Sequence, residues 1–188
     1  MKQILKFHLS GVCPLLMHNG QLADPLNAWA KAIKQISGKR IKTEADQEEM
    51  ARLEWFGSLY LDNGKPCIPG YCMDATLINA AKKTKKGMQA KFALVCDGNF
   101  PLEYEGTDNT STLWEDARFR RRALMRIKGA GIMRTQPLFF PWGATIVVSF
   151  NDAALNPKDI ETFVHTAGES VGLLEGRPRF GRFVAQRL

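Results

Sequence analysis

Residues 144–171, ATIVVSFNDAALNPKDIETFVHTAGESV, decide the fold. The first seven, apart from Ser149, are apolar or β-branched, the composition of a buried strand. Asn156-Pro157 then offers an N-cap followed by proline at the first helical position, where a missing N–H does no harm. Ile160, Phe163, Val164, Ala167 and Val171 are spaced 3, 1, 3 and 4 apart, so they share one face of an amphipathic helix that stops at Gly172. A loop rich in glycine and arginine follows over 172–179, and a last strand is expected over 180–186. Strand, helix, loop, strand is half of a split βαβ unit.

The other half lies upstream. Residues 3–12 alternate, with Leu5, Phe7 and Leu9 on one face and Lys6, His8 and Ser10 on the other, which predicts a half-buried strand. Cys67-Ile68-Pro69-Gly70 leads into a helix over 72–83 whose Met73, Leu77, Ala80 and Ala81 share a face. Residues 90–97, AKFALVCD, read as a central strand. The order strand, helix, strand, strand, helix, strand predicts an α+β fold: a ferredoxin-like (RRM-like) antiparallel sheet with two helices on one face and two long insertions. The expected organisation is a single domain over 1–188, with its core at 1–12, 67–97 and 143–188, a helical insertion at 13–66 and a hairpin insertion at 98–142. The alternative, two unrelated small domains, leaves the first and last strands without partners. Within 13–66 a helical pattern spans 25–36 (Leu26, Trp29, Ala30, Ile33). A second helix runs from the N-cap Thr43 to about Leu61, with Asp46 where a capping box has Glu. Within 98–142, an irregular stretch, Gly129-Ala130-Gly131 turns a hairpin between 122–128 and 132–139.

Composition bounds the function. With 188 residues, 45% hydrophobic and 24% charged, the chain can bury a good-sized core and is neither disordered nor fibrous. Lys and Arg number 26 against 19 Asp and Glu, and the net charge of +7 favours a polyanionic partner. Cys13, Cys67, Cys72 and Cys96 form no CxxC pair, which implies free thiols in a reducing cytoplasm and no disulfide scaffold. His8, His18 and His165 are far apart in sequence, so neither a metal site nor a cofactor is expected. No stretch approaches the ~20 apolar residues that span a bilayer. The first twenty residues, interrupted by Lys6, His8 and Ser10, do not read as a signal peptide.

The cations are segregated into four clusters, 31–42, 82–91, 118–128 and 177–187, separated by acidic tracts. Segregation suits phosphate neutralisation with counterion release. The expected nucleic-acid contacts are Lys39 and Arg40; Lys82, Lys83, Lys85 and Lys86; Arg120, Arg121, Arg122, Arg126 and Arg134 on the hairpin; and Arg177, Arg179 and Arg182 in the C-terminal loop. Trp114, Phe119, Phe139, Phe140, Trp142, Phe180 and Phe183 are interleaved with them, and aromatic faces stack on unpaired bases. Core packing is the competing reading of these rings. The glycines of 172–181 let backbone approach phosphate, but the GxxxxGK[ST] order of a P-loop is absent.

The stretch Cys67-Ile-Pro-Gly70-Tyr-Cys-Met-Asp-Ala-Thr-Leu77 resembles the IPG-x-x-x-x-x-x-L entry to the first core helix of the RAMP superfamily, the RNA-binding proteins of CRISPR effector complexes. Residues 172–183 are similar to that superfamily's glycine-rich loop before its final strand. Where members carry Ser and a Lys-Gly pair after the IPG, this chain has Tyr71 and Asp74-Ala75. The resemblance implies a guide-RNA-coating backbone subunit. It would oligomerise head to tail along single-stranded RNA, with the hairpin as a thumb that grips the guide and touches the next subunit. A complementary target nucleic acid is the further partner implied. The chain's small size suits a minimal version borne by a phage or mobile element. Some members cut RNA, and there the resemblance points to His18 as a metal-free base or to Asp24 as a metal-assisted residue. Asp24-Pro25 is also a plain helix cap followed by proline. The alternatives to a non-catalytic RNA-binding module are a metal-dependent ribonuclease on the same fold and a phage single-stranded DNA-binding protein.

Overall fold

Apolar residues at every second position of the first strand are buried, as the alternation requires: Leu5, Phe7 and Leu9 lie inside, and Lys6 and Ser10 outside. A computed structural model of the protein describes residues 1–127 and 129–188, the side chains of Arg126, Ile127 and Ala130 excepted. In chain order the elements are β1 (Lys2–Gly11), β2 (Leu15–Leu16), α1 (Ala28–Ser37), α2 (Glu44–Ser58), β3 (Leu61–Asp62), β4 (Lys65–Pro69), α3 (Gly70–Lys83), α4 (Gly87–Ala93), β5 (Leu94–Val95), β6 (Asn99–Pro101), β7 (Glu103–Tyr104), α5 (Thr110–Glu115), β8 (Arg120–Ile127), β9 (Ala130–Phe139), β10 (Trp142–Asn151), α6 (Pro157–Thr166) and β11 (Phe183–Arg187). The fold is α+β with antiparallel sheets. It divides into two compact units. Unit 1 comprises Met1–Leu16, Leu61–Glu105 and Phe140–Leu188; unit 2 comprises Met17–Tyr60 and Gly106–Phe139.

Unit 1 is built on a sheet of order β11-β1-β10-β5, with β7 also pairing with β10. The long pair β1/β10 runs in register from Lys2↔Asn151 to Ser10↔Gly143. Its core combines Leu5, Phe7, Leu9, Ile146, Val148, Phe150, Phe183 and Ala185 from the sheet with Met73, Leu77, Ile160, Phe163 and Val164 from α3 and α6. Asn156 caps α6 in a full capping box with Asp159, and Pro157 opens the helix as expected. A smaller sheet, β3-β4-β6, carries the Ile68-Pro69-Gly70 turn into α3. Gly70 is required there. Its N–H donates to the Gly98 carbonyl at 2.8 Å, and a Cβ would stand 2.0 Å from the Cys96 carbonyl oxygen.

Unit 2 joins the stretches expected as insertions. The capping box of Thr43 and Asp46 starts α2. α1 packs on α2, with Trp29 stacked 5.8 Å from Phe56, and α2 packs on β9 of the β8/β9 hairpin. Leu53, Trp55, Leu113, Phe119 and Phe139 form its core, and the Trp55 indole N–H donates to the Phe119 carbonyl at 2.8 Å.

Several expectations are corrected. Residues 90–97 are not a central strand. Residues 87–93 are helical, and only Leu94–Val95 pairs, at the edge of the sheet beside Ser149 and Phe150. The run Met-Gln-Ala-Lys-Phe-Ala consists mostly of good helix formers. It buries Ala90 and Leu94, one helical turn apart, and leaves Phe92 78% exposed. The first helix starts at Ala28, capped by Asn27; Asp24 ends a short 3-10 turn instead. α2 ends at Ser58, short of Leu61. The 98–142 stretch is less irregular than expected, holding β6, β7 and α5 before its hairpin. The last helix becomes a π turn over Ala167–Val171, with the Ser170 hydroxyl bonded to the Thr166 carbonyl beside the ladder. The last strand begins at Phe183, because Gly181 holds φ +71° and a Cβ there would meet the Leu173 carbonyl oxygen at 2.1 Å.

Candidate nucleic-acid interface

In unit 1 the middle of α3 is tied to the glycine-rich loop, and its basic end to the π turn that precedes that loop. The Thr76 hydroxyl donates to the Gly172 carbonyl at 3.4 Å and accepts from the Arg177 guanidinium at 3.3 Å. The Lys83 ammonium donates to the Ser170 hydroxyl at 2.8 Å. Lys82 reaches the Asn79 side chain at 3.0 Å. Lys85, with φ +62°, is exposed at the turn; among the described residues it makes no ion pair, nor do the exposed Arg179 and Arg182. Lys82, Lys85 and Lys91 line a groove of about 530 Å³ with Ile78, Gly87 and Met88. Lys86 is different: its ammonium grips both oxygens of Asp159 at 2.7 and 2.8 Å. Burial pushes the Asp159 carboxyl up, but Lys86 and the Asn156 N–H outweigh it and hold that carboxyl below its ordinary range. Lys86, expected as a phosphate contact, thus clamps the α3–α4 turn to α6.

In unit 2, Arg120, Arg121 and Arg122 open strand β8. The Arg120 guanidinium lies 4.7 Å from the centre of the Trp114 ring and donates to the Glu115 carbonyl at 3.4 Å. Arg121 is half-buried, and Arg122 is exposed and forms no ion pair among the described residues. Arg40 is exposed and likewise forms no ion pair among the described residues, while Lys39 pairs with Asp46 at 2.6 Å. Arg134, expected as a groove residue, has a structural partner. It pairs with the buried carboxylate of Glu54, whose other oxygen accepts the Thr135 N–H at 2.8 Å. The side chain of Arg126, and Lys128 altogether, lie outside the described residues.

Most of the interleaved aromatics belong to the core. Phe119, Phe139, Trp142 and Phe183 are buried, and Phe180 is half-buried. Phe140 is exposed, and Trp114 is half-buried beneath Arg120.

The two catalytic candidates sit in unremarkable settings within unit 2. The His18 imidazole Nδ1 is 3.3 Å from the Ser58 hydroxyl, and its carbonyl accepts from Tyr60. Asp24 accepts the Leu26 N–H at 2.8 Å, a local turn bond. Among the described residues, no three His, Cys, Asp or Glu side chains gather as a metal site.

Sequence reasoning missed a polar cluster on the solvent face of the unit 1 sheet. The His8 Nε2 lies 3.0 Å from the Glu103 carboxylate, and its Nδ1 lies 3.5 Å from the Ser10 hydroxyl. Thr145 reaches the other Glu103 oxygen at 3.5 Å. The alternation put His8 and Ser10 on that face, but nothing local revealed that Glu103 would be their neighbour. Compared with protein-family models and with characterised proteins, the chain matches none.

Proposed function

We propose that the protein is a non-catalytic module that binds single-stranded RNA along its phosphate backbone. In this reading it coats a guide strand in an RNA-guided, CRISPR-like complex, assembles head to tail, and works in the cytoplasm. The carrying observation is in unit 1: among the described residues, Lys82, Lys85, Arg179 and Arg182 stand exposed without acidic partners, and Thr76 and Lys83 tie α3 to the 170–177 segment. Cations left unpaired in a chain that forms many ion pairs are available to phosphate. Support also comes from unit 2, where Arg120 covers a half-buried tryptophan and Arg122 lines the same groove. The strand order and the two helices suit the ferredoxin-like core that the RAMP resemblance implies. Among the described residues, no helix is long and apolar enough to cross a membrane.

The test is fluorescence anisotropy with labelled single-stranded RNA, single-stranded DNA and duplex across a salt series. We expect RNA affinity to fall at least tenfold between about 50 and about 200 mM salt, since several phosphates are neutralised. Lys82→Ala/Lys85→Ala and Arg179→Ala/Arg182→Ala should each weaken binding while leaving the circular dichroism spectrum unchanged. Affinity indifferent to salt and to both double variants would overturn the reading.

A further inference from the structure

Unit 2 holds a groove of about 630 Å³ between α2 and the 114–122 segment. Its floor is Trp114, held by a cluster of rings: Trp55 packs edge-on at 5.7 Å, Phe56 lies at 6.3 Å, and Phe56 in turn stacks on Trp29. The Arg120 guanidinium lies over the Trp114 ring. The two walls differ in charge. The α2 wall carries Glu48, Glu49 and Arg52; the opposite side carries Arg120 and Arg122. Arg52 and Glu49 neutralise each other through bonds of 2.7 and 2.8 Å, and Arg52 also covers Phe56. Among the described residues of this lining, that leaves one exposed carboxylate without an ion pair, Glu48, and one exposed guanidinium without one, Arg122.

A ligand matching this groove is flat, anionic at one end, and a hydrogen-bond donor at the other. A nucleotide whose base carries an exocyclic amine has all three properties. Unpaired bases stack on aromatic rings and on guanidinium planes. Carboxylates accept from the amino group of cytosine, and they repel the carbonyl oxygen that uracil presents at the same position. We propose that this groove is a base-reading subsite, in which the Trp114–Arg120 pair stacks one unpaired base, Arg122 holds its phosphate, and Glu48 selects cytosine or adenine over uracil. The inference rests on the single-strand reading above and adds to it a base preference that phosphate contacts alone do not give.

The experiment compares homopolymer RNAs of about 12 nucleotides, a length within the usual single-strand site size. Oligo-C and oligo-A should bind about tenfold more tightly than oligo-U, the discrimination one good edge contact supplies. Glu48→Gln should erase that difference, because an amide both accepts from an amine and donates to a carbonyl. Arg122→Ala should weaken all three oligomers alike. Glu48 and Arg122 are exposed, so neither change threatens folding. Equal wild-type affinities for the three oligomers overturn the subsite while leaving salt-dependent binding intact. A preference that survives Glu48→Gln overturns its assignment to this groove. If no oligomer binds at all, the single-strand reading itself fails, and the subsite with it.

Discussion

Glu54 shows how a single carboxylate can decide the role of a distant cation. It is 7% exposed, and it satisfies both Arg134 and the Thr135 N–H. Glu54→Ala leaves a guanidinium and a backbone donor without their acceptor, and should cost about 2–3 kcal/mol of stability, read as a lower urea midpoint. Arg134→Ala should likewise destabilise the fold more than it weakens RNA binding. The thiols divide by their surroundings. Burial, with Asp62 and Cys72 nearby, pushes Cys67 up to about 11, and burial with Asp74 close by raises Cys96 strongly. At pH 8 iodoacetamide should therefore modify Cys13 and Cys72 before Cys67 and Cys96, a sequence that peptide mass spectrometry resolves. Asp159 supplies a pH dependence. Its folded value is depressed, so its contribution is complete above the unfolded carboxylate value of about 4 and disappears as pH falls through the lower folded value. Lys86→Met should flatten that acid limb of the stability curve.

At the scale of the element, the C-terminal loop is the sharpest test. Gly181→Ala combines a positive φ with a carbonyl 2.1 Å from the new Cβ and should cost about 1–3 kcal/mol, measured by thermal unfolding. It should displace Arg182 and lower RNA affinity too. Which elements were legible in the sequence follows from the same local physics. β1, β10, α3 and α6 declared themselves because their apolar periods are long and their caps explicit: Asn156-Pro157 for α6, alternating Leu5, Phe7 and Leu9 for β1. Residues 90–97 misled because a short apolar run suits either a strand or a helix, and its first half joins the good helix formers of 87–93 while only Leu94–Val95 pairs with the sheet. The candidate site was legible in its exposed cations, whose clustering is a property of the sequence. Arg134 and Lys86 were not separable from the rest. Their partners Glu54 and Asp159 lie 80 and 73 residues away, and only the fold brings them near.

For the whole molecule, the net charge of +7 predicts that both units contribute to a common salt dependence. Lys82→Ala/Lys85→Ala in unit 1 and Arg40→Ala/Arg122→Ala in unit 2 should each reduce the slope of log K against log salt by about 1–2, and the quadruple variant by the sum. Sedimentation with long single-stranded RNA should give species larger than the monomer if copies associate head to tail. Unit 2 is assembled from stretches separated by forty-five residues, 61–105, that belong to unit 1. On the ribosome, Leu53 and Trp55 therefore emerge well before Phe119 and Phe139, the residues that will cover them. A nascent chain halted near residue 105 presents bare apolar surface, so chaperone demand during synthesis should peak in that interval and end once the hairpin has left the tunnel.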